Sequence, residues 1–208
     1  MNKINFKEID RDLQRYGIGI NSDTIDSTPH FSVYHIHEWD HGYDGFYGIT
    51  VSKDGNYQRE TGFCRTRREF YVDMREMICF VQEYFSKMLI QDLIIAPCYQ
   101  YNQFSFNAEK NDIYEEIYDF LHKNGIRKGE RSGVHIMVKE SIRQIEMIIE
   151  GAFRGISQLC LFAPAQGMLI SPNHHFGISF FTQNKMQAVE TALTVLENFP
   201  TLEYTESL

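Results

Sequence analysis

Apolar residues recur at helical spacing in some stretches of the chain and alternate or run together in others. Phe6, Ile9, Leu13 and Tyr16 fall three to four residues apart and predict a short amphipathic helix, closed by Gly17 and Gly19. After a polar loop over 21–29, the aromatic and branched run from Phe31 to Glu38 predicts a strand, and Phe46 to Ser52 a second. Asp54-Gly55 is a tight-hairpin signal leading into a third strand near Tyr57 to Gly62. Thr66 and Glu69 then form a capping box. Behind it Phe70, Met74, Met77, Ile78, Val81, Phe85 and Met88 trace one helical face, with Cys79 read as buried and Arg67, Arg68, Asp73, Arg75 and Glu83 off the face. Leu93 to Ala96 is a continuous apolar strand stopped by Pro97.

Tyr99 to Phe106 is aromatic and amide-rich, an edge strand or a loop. Asn111 to His122 predicts a helix with Ile113, Ile117, Phe120 and Leu121 inward and Asn124-Gly125 as its stop. A charged turn over 125–133 offers a subdomain joint. Beyond it come a strand at Val134 to Val138 and a second capping box, Ser141 with Gln144. The helix it opens has Ile145, Ile148, Ile149, Ala152 and Phe153 as its inner face. Strands follow at Leu159 to Phe162, Met168 to Ser171 and His175 to Thr182. A last helix is capped by Asn184, with Val189, Ala192, Leu193 and Leu196 inward, and ends at Phe199-Pro200.

Helices thus alternate with strands, several of which are joined by tight turns. The expected architecture is α+β: a mixed, largely antiparallel sheet with helices packed on one side, in one globular domain over 1–208. The order leaves room for two similar β-α-β halves, without residue-level repetition to support a duplication. The chain's 208 residues and 43% hydrophobic content suffice for a core without disulfide or metal. A net charge of −8 argues against general nucleic-acid binding and against a polybasic membrane anchor. The start of the chain has no apolar signal region and no stretch is long enough to span a bilayer, which gives a cytoplasmic expectation. Cys64, Cys79, Cys98 and Cys160 form no C-x-x-C pair.

Three functional readings arise from the residues. His30, His35, His37 and His41 crowd into twelve positions. On a strand His35 and His37 share a face, and Asp40, His41 and Asp44 follow, so these five could ligate zinc or another divalent metal that activates water for hydrolysis. The stretch resembles the His-x-His-x-Asp-His motif of metallo-β-lactamase-fold enzymes, with Trp39 as an extra residue that displaces Asp40 and His41. It is also similar to the His-x-His and later Asp-Gly opening of polymerase-and-histidinol-phosphatase-type metal enzymes (His35, His37, Asp44, Gly45), without their later Asp-x-His element. Neither family is assigned. Arg65, Arg67 and Arg68 bracket a helix start and could hold a phosphate or carboxylate, the mark of an anion or nucleotide sensor. His122 ends a helix, and His135 reads as a satisfied strand histidine. His174 or His175 would be at most a distant ligand.

The third reading is the preferred one: a small acidic binding protein without catalysis or cofactor, such as an inhibitor or immunity protein for a basic partner, for example a toxin. Tyr and Trp are favoured at interfaces. Glu38, Trp39, Asp40, Tyr43, Asp44 and Tyr47, with Tyr99 and Tyr101, are its candidate contacts.

Overall fold

The computed structural model describes residues 2–18, 28–36, 56–58, 64–97, 112–127, 130–157, 159–173 and 176–207, with the backbone alone at 56–58, 64–67 and 207. The chain begins with strand β1 (Asn2–Asn5) and helix α1 (Phe6–Arg15), followed by β2 (His30–His35), β3 (Asn56–Gln58) and β4 (Cys64–Thr66). Helix α2 (Arg67–Lys87) leads to β5 (Asp92–Pro97), α3 (Asp112–Lys123) and β6 (Ser132–Met137). A 3-10 turn (Val138–Glu140) enters α4 (Ile142–Phe153), then β7 (Leu159–Ala163), β8 (Met168–Asn173), β9 (Gly177–Thr182), α5 (Lys185–Leu196) and β10 (Leu202–Ser207).

Eight strands form one sheet in the order β1-β6-β5-β7-β8-β9-β2-β10, and β3 pairs with β4. Every described pair is antiparallel. The fold is therefore α+β, as the alternation of patterns predicts. Side chains alternate between the sheet's faces. Phe31, Val33, Leu93, Ile95, Leu159, Leu161, Ile170, Ile178 and Phe180 form one core with the apolar sides of α2, α3, α4 and α5. Ile94, Ala96, Cys160, Phe162, Leu169 and Phe181 point the other way and are covered by Ile9 and Leu13 of α1. Gly133 permits that approach, since a Cβ there would sit 2.7 Å from both Ile9 Cδ1 and Ile94 Cγ2.

Both edge strands escape the hydrophobic pattern. β1 (Asn-Lys-Ile-Asn) and β10 (Leu-Glu-Tyr-Thr-Glu-Ser) are short and polar, as edges that avoid further pairing tend to be. Side-chain ties add to the packing of Ile4 of β1 and of Leu202 and Tyr204 of β10 on the cores. Lys3 pairs with Glu130 and donates to the Gly125 carbonyl at 2.8 Å. Lys185 reaches Glu206 at 3.0 Å. Lys3, the Arg127 amide and the Ser132 hydroxyl all donate to Glu130 and hold its carboxyl down to about 2 from an ordinary 4.5. A depressed carboxyl contributes stability that is present above its unfolded value and is lost as pH falls through the folded one. Urea unfolding measured from about pH 4.5 down to about pH 2 should therefore show a steeper loss of stability in the wild type than in Glu130→Gln. Equal slopes would mean that the β1 tie contributes nothing.

Several local expectations are corrected. Cys79 is exposed, because it lies one step of about 100° past inward Ile78. Leu193 is exposed, since Ala192 takes the position against the sheet. Ser141 makes no side-chain cap: the chain enters α4 from a 3-10 turn with ψ 27°, not from extended backbone. Asn184 stands at the cap position of α5, but its amide donates to Gln187 Oε1 at 2.7 Å. Asp73, placed off the apolar face of its helix, is buried.

Candidate functional site

The registers bring the C-terminal ends of β2, β5 and β8 and the first residues of β6, β7 and β9 to one end of the sheet: Tyr34 faces Gly177, Asn173 faces Gly177, Pro97 faces Leu159 and Ile95 faces Val134. Two buried polar groups lie there, on either side of an aromatic wedge. The wedge is Phe70 of α2, Phe153 of α4 and Phe176, whose ring stacks on Phe153 at 4.4 Å and meets Phe70 edge-on at 5.2 Å.

His35 forms the first group. It shares the helix-facing side of β2 with Phe31 and Val33, and its side chain is fully buried. Its Nε2 lies 3.2 Å from Glu76 Oε2 and 3.5 Å from Asp73 Oδ1, both on α2. A nitrogen facing two carboxylates is placed to donate its N–H to them. The Phe176 ring lies perpendicular to that of His35, with centroids 6.2 Å apart. This triad fastens the end of β2 to the start of α2.

Glu150 and Arg154, four residues apart on and just beyond α4, form the second group. Arg154 Nη1 lies 3.1 Å from Glu150 Oε1 and 3.3 Å from Asp112 Oδ1 at the start of α3, and the Tyr71 hydroxyl donates to Glu150 at 3.2 Å. Burial pushes the Glu150 carboxyl above the usual range, while Arg154 and Tyr71 pull against that shift. The group therefore locks α2, α3 and α4 together. Gly151 sets how closely α3 sits, since a Cβ there would lie 2.5 Å from Ile117 Cδ1 and 2.8 Å from Ser157 Oγ.

That docking leaves the outward side of α3 in solvent. Tyr114, Tyr118 and His122 follow one another at i, i+4 and i+8, with ring centroids 6.4 and 6.0 Å apart and planes within 6° and 14° of parallel. Glu115 and Asp119 form the next row on the exposed side. The third row is paired: Asp112 with Arg154, which it shares with Glu150, and Glu116 with Arg143, whose guanidinium donates twice, at 3.0 and 2.7 Å. The Glu116 carboxylate holds the Arg143 guanidinium above its ordinary value.

Charge is distributed unevenly among the helices. Within α3 four carboxylates face one lysine, whereas in α1 and in α2 acids and bases balance, and in α5 one lysine meets one glutamate.

No family model, curated protein or solved structure matches this chain. The site must therefore be read from its own chemistry.

Of the residues singled out in the sequence, His35 is described and turns toward Asp73 and Glu76. His30 lies on the opposite face of β2, its ring 4.8 Å from Phe181 and its Nδ1 3.0 Å from the Thr28 carbonyl, so it does not converge with His35. His37, Glu38, Trp39, Asp40, His41, Tyr43, Asp44, Tyr47, Tyr99, Tyr101, His174 and His175 lie outside the described residues. So do the side chains of Arg65 and Arg67, while Arg68 is exposed on the first turn of α2. Among the described residues no group of three or more His, Cys, Asp or Glu is placed to hold a metal ion. Nor is any described helix long and apolar enough to cross a membrane. His135 is satisfied by Asp92 at 2.8 Å, as expected of a strand histidine.

Sequence reading missed Glu150, Arg154 and the ring row on α3. Each had an i, i+4 signal in plain view: Glu150 with Arg154, and Tyr114, Tyr118 and His122 within an acidic helix.

Proposed function

We propose that this protein acts by binding rather than by catalysis, as a small acidic cytoplasmic module that takes up a positively charged protein partner in the manner of an inhibitor or immunity protein. The observation that supports this most is the excess of carboxylates on α3, with Glu115 and Asp119 exposed beside the rings of Tyr118 and His122, where the two other charge-rich helices among the described residues are balanced. Such a face steers a cationic partner in from a distance and gives it apolar surface to bury on arrival. Tyrosine suits that role because it offers a large rigid contact with a polar tip.

Glu115 and Asp119 are exposed, so reversing both to lysine should leave the melting temperature almost unchanged. Affinity capture from the native host, identified by mass spectrometry, should retain basic proteins on the wild type. The Glu115→Lys/Asp119→Lys variant should lose them, and wild-type retention should weaken as salt rises. Partners that are acidic, or that the variant retains as well as the wild type does, would contradict this reading.

A further inference from the structure

Resting on that reading, we propose that the outer side of α3 is an arginine-selective docking stripe, on which guanidinium groups of the partner stack against the rings of Tyr118 and His122 and donate to Glu115 and Asp119. Two parallel rows carry the inference. The ring row (Tyr114, Tyr118, His122) presents nearly parallel planes along the helix, and Tyr118 is 43% exposed. The carboxylate row (Glu115, Asp119) runs beside it, one residue on. Among the described residues Asp119 pairs with Lys123 alone, at 3.8 Å and in solvent, and Glu115 has no ion pair. The remaining carboxylates of the helix, Asp112 and Glu116, are already held by Arg154 and Arg143. What lies on the exposed side is therefore Glu115 and the solvent-paired Asp119 beside the exposed rings of Tyr118 and His122, while Tyr114 is packed against the core.

That pairing discriminates between the two common cations. A guanidinium is planar, weakly hydrated and carries donors in its plane, so it can lie on a ring and still donate sideways to a carboxylate. An ammonium is a compact, strongly hydrated point charge and gains less from a ring face than a guanidinium does. The complementary partner is thus an arginine-bearing segment of a basic protein. A segment whose charge is mostly lysine would meet the carboxylates without using the rings.

Fluorescence anisotropy with labelled arginine and lysine decapeptides, at matched ionic strength, tests this on the full chain. The arginine peptide should bind about fivefold more tightly than the lysine peptide, the size expected of exposed cation–π contacts. Tyr118→Leu/His122→Leu, which keeps apolar bulk at two exposed positions and removes both rings, should bring the arginine peptide down toward the lysine value and change the lysine value little. Glu115→Gln/Asp119→Asn should weaken both peptides together. Equal affinities in the wild type, or a preference undiminished in Tyr118→Leu/His122→Leu, would overturn the stripe while leaving the acidic binding reading in place. Failure of both peptides to bind would overturn the two together.

Discussion

Replacing Arg154 with methionine is expected to cost about 3–5 kcal/mol of stability, because it strands a buried carboxylate. The Arg154 and Glu150 side chains are 6% and 7% exposed, so water does not replace the lost partner. Tyr71 can still donate to Glu150, but it supplies a dipole in place of a charge. The loss should depend on pH with a definite sign. Burial raises the Glu150 carboxyl in the folded state, so stability falls as pH rises through the window above the ordinary carboxylate value. Without Arg154 that rise grows, and the variant should recover part of its stability near about pH 5 relative to about pH 8. Arg154→Met/Glu150→Gln should regain most of the loss, since a neutral amide can keep the Tyr71 contact. Urea unfolding of the three proteins at both pH values checks this. A single variant as stable as the wild type would mean that the group does not hold the three helices together.

Phe180→Ala should cost about as much for a different reason, about 3–5 kcal/mol from the cavity left by a buried ring. Phe180 is fully buried on β9, stacked on Phe31 of β2 at 4.8 Å with planes 8° apart, and meets Tyr84 of α2 at 4.9 Å and Phe80 at 6.4 Å. Tyr84 also reaches the Ala188 carbonyl of α5 at 3.5 Å, so this stack ties β2 and β9 to two helices. In a chain of this size the loss should lower the melting temperature by about 10 °C. Leu193→Ala, at an exposed position on α5, should move it by less than about 1 °C and serves as the control.

Those positions also mark what could be read in the sequence. Buried helices and central strands were legible because their periods are strong: Ile145, Ile148, Ile149, Ala152 and Phe153 all face the core, as does the run Leu159 to Phe162. The edges β1 and β10 were not, since Ile4 alone in β1 and Leu202 with Tyr204 in β10 are too few apolar positions to mark a strand. Tertiary pairing, not local preference, makes them strands. Cap signals at Ser141 and Asn184 pointed to the right helix starts, yet the backbone arrives in a geometry that turns both side chains elsewhere. Asp73 looked like a surface residue because its partner, His35, is 38 positions away in the chain. A contact of that kind leaves no local trace. The cluster of histidines drew attention to one residue that matters structurally, His35, but gave no hint that it would face two carboxylates of α2.

The most direct test of α3 as the docking surface is amide chemical-shift mapping of the labelled protein titrated with the arginine decapeptide. The largest changes should fall on residues 112–123, centred on Glu115, Tyr118 and Asp119, and reach Arg143 through its pair with Glu116. Largest changes at the start of α2 around Arg68, along β10, or nowhere in the chain would contradict it.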